Sequence, residues 1–195
     1  EKGFARLDDG TDLDNGTVLF MQGTVYGEDG KPLPNAKVEV WHANSLGNYS
    51  FFDESQSHFN LRRSIITDEN GNYAFRSIVP LGYSVPPEGM TQKVLGALGR
   101  HGHRPAHIHF FASADGHRKL TTQINIDGDE YLWDDFAFAS REGLVPEVTM
   151  VEDADKLKEK ALDKPYASID FDFHLVKDID QAIQGSEVER RRAQG

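Results

Sequence analysis

Residues 101–111 read HGHRPAHIHFF, with four histidines in the first nine positions. The last two, His107 and His109, are one residue apart among apolar neighbours. On a β-strand alternate side chains share a face, so these two would project together, roughly 6–7 Å apart, while Ile108 enters the opposite layer. Two imidazoles at that spacing suit one metal ion. His101 and His103 lie in a glycine-rich approach to the strand and are read as contacts to solvent or anions rather than ligands. His42, in VEVWHAN, is read as a hydrogen-bonded residue at a strand end.

Two imidazoles seldom hold a catalytic metal by themselves. The chain has no cysteine, so any further donor must be nitrogen or oxygen. Tyr49 in WHANSLGNYSFFD and Tyr83 in VPLGYSVPPEGMT stand out. A loop tyrosine taken singly is an amphipathic surface cover. These two share a setting, because each closely follows a glycine and each interrupts strand-like sequence with stiffened backbone. A phenolate is a hard anionic donor, and a hard trivalent ion such as Fe(III) favours it. Two phenolates and two neutral imidazoles would leave a net charge of about +1 on ferric iron, with open positions for an anionic substrate.

The elements that must position these residues read as β-structure. Between residues 17 and 126 short alternating runs are broken by turn dipeptides: Asp29-Gly30 with Pro32 and Pro34, Asn70-Gly71 as a hairpin signal, and Asp115-Gly116 between two alternating strands. Repeated strands with short turns predict an all-β fold, a β-sandwich. One helix is expected over 151–162, from Val151, Ala154, Leu157 and Ala161 at helical spacing and a Glu152–Lys156 pair. A strand over 167–176 is expected to close the domain. The division is a lead-in at 1–16, a sandwich at 17–178, and a charged tail at 179–195 read as mobile.

The chain has 195 residues, enough for one substantial core. A net charge of -11 argues against nucleic acid or an anionic membrane as partner, since each phosphate contact needs Lys or Arg. The sequence has neither a long apolar run nor an export leader, and a cytoplasmic location is expected.

VEVWHANSLGNYSFFD, SIVPLGYSVPPEG, HRPAHIHFF and TTQINIDGDEYLWDDFAF occur in that order within residues 17–146. Together they resemble the intradiol ring-cleavage dioxygenases, and FDESQSHFNLRRSIITDENG is similar to the catechol-cleaving branch. The resemblance implies a non-haem Fe(III) site, one ion per chain, with Tyr49, Tyr83, His107 and His109 as ligands. It implies that Arg104 and Gln123 line the substrate site and that Tyr83 is the ligand that leaves and acts as an internal base. Catechol and O2 would be the substrates, cis,cis-muconate the product, and the β-ketoadipate route of aromatic catabolism the setting. Members of that branch carry an N-terminal helical domain for dimerisation and a linking segment beside the substrate. Neither is recognisable in these residues, so the chain is expected to be a fragment or the inner part of a longer protein, homodimeric if that protein carries the helical domain.

Two rival readings stand beside this one. GTVYGEDGKPLPNAKVEVW followed by TDENGNYAF also resembles transthyretin-like β-sandwich modules without enzymatic activity. The His-x-His pair with a carboxylate such as Asp129 could instead serve a zinc hydrolase.

Overall fold

The computed structural model describes residues 1–12 and 15–178. In chain order the strands are β1 (Phe4–Arg6), β2 (Val18–Gly27), β3 (Lys37–His42), β4 (Arg62–Ile66), β5 (Asn72–Ile78), β6 (Tyr83–Ser84), β7 (His103–Arg104), β8 (His107–Ser113), β9 (Leu120–Asn125), β10 (Thr149–Val151), β11 (Tyr166–Asp170) and β12 (Phe173–Leu175). Two short helices join them, α1 (Met90–Ala97) and α2 (Ala154–Glu159). The strands form a six-stranded sheet in the order β1-β5-β2-β11-β10 with β12 also on β2, a four-stranded sheet in the order β4-β3-β8-β9, and the small pair β6-β7.

The two larger sheets pack face to face. Alternation in β8 sends Ile108, Phe110 and Ala112 inward, all fully buried. Phe110 lies 6.4 Å from Phe75 of β5 and 5.1 Å from Phe173 of β12, ring centroid to centroid, so one side chain bridges both sheets. Leu19, Met21 and Val25 of β2 and Val38 and Val40 of β3 complete this core. The all-β sandwich expected from turn spacing is the observed fold.

Local expectations differ from the structure in three places. Asn70-Gly71 joins β4 to β5, but those strands belong to different sheets, so the turn carries the chain across the sandwich instead of closing a hairpin. The helix expected over 151–162 shrinks to α2. Val151 completes β10 opposite Tyr166, and the Asp153 carboxylate caps the helix by accepting from the backbone N–H groups of Asp155 and Lys156. The strand expected over 167–176 divides into β11 and β12, both parallel to β2. In the N-terminal lead-in, β1 pairs parallel with β5 and buries Ala5, with Leu7 buried just beyond it. The tail expected at 179–195 lies outside the described residues. Asp115-Gly116 does close the antiparallel β8-β9 hairpin.

Candidate metal centre

The outer face of the four-stranded sheet carries the chemistry. His107 and His109 leave β8 on the side opposite Ile108 and Phe110. His109 stands in register with Trp41 of β3 and Gln123 of β9, and His107 with Asn125. Trp41 stacks flat on the His109 ring at 4.9 Å and 9°, which fixes the ring plane.

Two loops bring the tyrosines to this face. Gly47 holds a left-handed φ of 82° two residues before Tyr49, and a Cβ there would lie 2.6 Å from the Gly82 carbonyl oxygen. A Cβ on Gly82, just before Tyr83, would in turn lie 2.6 Å from the Arg104 carbonyl oxygen. The glycines that precede the tyrosines therefore let three backbones stack without side chains between them. The β6-β7 pairing then sets Tyr83 opposite Arg104. The Tyr49 and Tyr83 rings meet edge to face at 5.6 Å, Tyr83 lies 5.7 Å from His107, and Tyr49 lies 6.4 Å from His109. All four proposed ligands thus fall in one cluster.

The hydrogen bonding around His107 indicates what the cluster would hold. Its Nδ1 is 2.6 Å from the Pro105 carbonyl oxygen, which can only accept, so Nδ1 carries the proton and Nε2 presents a bare lone pair. Crowded on that lone pair are His109 Nε2 at 3.0 Å, Arg104 Nη1 at 3.1 Å and the Tyr49 hydroxyl at 3.3 Å. One lone pair cannot serve the Arg104 and Tyr49 donors together, and a second imidazole nitrogen with its own lone pair turned to the first would repel it. Burial, reinforced by Arg104, pushes His107 down to about 3 and His109 down to about 4, so both imidazoles are neutral near pH 7. Burial, and then the neighbouring Tyr83, push the Tyr49 phenol upward. Neutral imidazoles beside the Tyr49 phenol, which needs a cation to ionise, fit a hard metal ion that would bind the lone pairs and stabilise phenolate.

Arg104 and Gln123 also reach the site. Arg104 Nη2 donates to Gln123 Oε1 at 2.8 Å and pairs with the Asp135 carboxylate at 3.1 Å. Asp135, in WDDFAF, was not singled out in the sequence. It lies 31 residues beyond Arg104, and nothing local distinguishes it from Asp134 beside it. His101 and His103 stand apart from the cluster. His101 Nε2 pairs with Asp134 at 3.0 Å, while His103 bonds Ser84 Oγ at 2.6 Å and stacks on Tyr131. His42 is buried on the inner face between Ser77 Oγ and the Ala43 carbonyl, as a hydrogen-bonded strand-end residue should be. Both Asp129 oxygens accept backbone N–H groups, from Ala106 and Tyr131. Among the described residues no group of three or more His, Cys, Asp or Glu is placed to hold a metal, so a zinc site built on Asp129 has no support. An open cleft of about 1120 Å³ lies above the tyrosine side of the cluster, lined by Tyr49, Tyr83, Arg104, Leu81 and Phe52.

A dioxygenase family model matches residues 1–177, and the chain belongs to the intradiol dioxygenase family. Within that family its similarity is to catechol 1,2-dioxygenases. It is 73% identical over 150 residues to catechol 1,2-dioxygenase 2 of Acinetobacter lwoffii, covering 77% of this chain and 54% of that protein. It is 56% identical over 192 residues to the catechol 1,2-dioxygenase of Acinetobacter baylyi, covering 97% of this chain and 61% of that one. The crystal structure of wild-type Acinetobacter radioresistens catechol 1,2-dioxygenase superposes with a TM-score of 0.90 at 58% identity, over 92% of this chain and 58% of the other. The chain therefore spans little more than half the length of these relatives. Among the described residues no helix is long and apolar enough to cross a membrane.

Proposed function

We propose that this chain is the catalytic region of a non-haem Fe(III) dioxygenase that opens catechol between its two hydroxyls with O2, giving cis,cis-muconate in cytoplasmic aromatic catabolism. The observation that carries the reading is the convergence of two imidazoles and two phenols on one sheet face, with an arginine against them. Tyr49, Tyr83, His107 and His109 would hold the ion. Ferric iron, when bound, supplies a Lewis acid that draws electron density from a catecholate and orients it.

The remaining work falls to the chain's own groups. The phenolate oxygen of Tyr83 is the internal base that accepts a catechol proton and becomes phenol, the role that the family resemblance implies for it; both Tyr83 and Tyr49 line the cleft. Arg104 Nη1 places a fixed positive donor where negative charge grows as the ring meets oxygen, the logic of an oxyanion hole. Trp41 and the Pro105 carbonyl keep the two imidazoles in orientation. A homodimer is expected if the longer protein carries a helical domain.

The test is the visible spectrum and product of the iron-loaded chain. Tyrosinate-to-Fe(III) charge transfer should give a red to purple protein with about one iron per chain. Catechol should yield an ultraviolet-absorbing muconate. An iron-loaded but colourless protein would overturn the two-tyrosinate assignment, and a yellow semialdehyde would place cleavage beside the hydroxyls and reject the reaction.

A further inference from the structure

Arg104 is 8% exposed and Asp135 4% exposed, so their pairing is shielded from water. The contact is two-pronged: Nε donates to Oδ1 at 3.2 Å and Nη2 to Oδ2 at 3.1 Å. Such a fork fixes the guanidinium plane as well as its position. Nη2 makes a second bond, to Gln123 Oε1 at 2.8 Å, and Gln123 Nε2 donates to Asn125 Oδ1 at 3.2 Å. Arginine has donors only, so Gln123 must turn its oxygen to Arg104, and Asn125 must turn its oxygen to Gln123. Both ends of the Gln123 amide are thereby engaged. Asp135 is itself held by the backbone N–H groups of Ala137 at 3.0 Å and Ala139 at 3.2 Å. Of the guanidinium nitrogens only Nη1 is without a carboxylate or amide partner, and it faces His107 Nε2.

We propose that Asp135 is a positioning residue: from one side it, and from the other the Gln123–Asn125 amide pair, clamp Nε and Nη2 of Arg104 and so aim Nη1 at the space where substrate is taken. The inference rests on the function proposed above for what that space holds, while the clamp is a property of the chain alone. Gln123 in this arrangement acts through Arg104. The Asp135 carboxylate, fixed by backbone donors on its own loop, is the anchor, and without it a cation would be left buried among imidazoles.

Two measurements test this. In the metal-free chain, the Arg104 Nε–H should give a resolved nitrogen-15 resonance protected from solvent exchange, and Asp135→Asn should speed that exchange at least about tenfold as the fork opens. In the iron-loaded chain, Asp135→Asn should lower kcat about 10- to 100-fold while leaving iron content and the tyrosinate band unchanged. It should cause no further loss in an Arg104→Leu background. Additive loss in that background, or unchanged Nε–H exchange, would overturn the proposal and leave Asp135 a staple of its loop. If Asp135→Asn does not fold, Asp135→Glu, which keeps the buried charge but displaces the carboxylate from the fork, carries the same two readouts with the same expected signs. Faster exchange in a chain whose wild type fails to turn over catechol would reject the function and keep the clamp.

Discussion

The two faces of β8 differ in almost every respect that alternate residues can. Ile108, Phe110 and Ala112 point into the sandwich and are fully buried among apolar side chains. His107 and His109 point the other way, against Trp41, Arg104, Tyr49 and Tyr83. A single strand thus separates stability from chemistry by parity alone. The site needs no core of its own, because its backbone is already fixed by a core built on the reverse side.

The largest effect should come from the outer face. His107→Ala or His109→Ala should reduce bound iron to background, measured by metal analysis, while shifting the unfolding free energy of the metal-free chain by only about 1 kcal/mol, the size of one hydrogen bond. Tyr83→Phe should retain iron and lose turnover. On the inner face, Phe110→Ala should cost about 3–5 kcal/mol in urea denaturation, since it removes the ring that joins both sheets, yet the folded variant should bind iron as before. Loss of iron by folded Phe110→Ala would break the separation of faces.

The smallest effect concerns the one histidine on the inner side. Burial pushes His42 down to about 4, so it stays neutral in the fold, while the unfolded chain takes up a proton near pH 6.5. The unfolded state then binds more protons between those values, and the His42 contribution is whole above about pH 6.5 and lost progressively as pH falls towards 4. A His42→Gln variant should show a shallower fall in thermal midpoint across that window. An unchanged slope would show that groups other than His42 carry the pH dependence.

How far the sequence reached follows from the range of each signal. The parity of His107 and His109 is a property of three consecutive residues, and the Asp115-Gly116 hairpin of a few more, so both were legible. Tyr49 and Tyr83 were legible through their glycines, although no local pattern shows that the two loops touch. Asn70-Gly71 misled because a turn dipeptide specifies a reversal and leaves open which sheet receives the returning chain. The expected helix lost its start to the Asp153 cap and to the pairing of Val151 with Tyr166, a tertiary contact that overrides periodicity, and its end where Ala161 takes a left-handed φ of 53°. Asp135 was invisible since its partner is fixed only when the loop after β9 folds back over the sheet.

The stacked glycines have a consequence for motion. Gly47 and Gly82 touch backbone to backbone, and the Leu81 N–H donates to the Asn44 carbonyl at 3.1 Å, so the loops bearing Tyr49 and Tyr83 are fastened at their bases. Neither can swing out without stripping the other of its support. The two phenols therefore belong to one cooperative opening unit, whose amides should exchange with solvent together and whose rare excursions expose both donors at once.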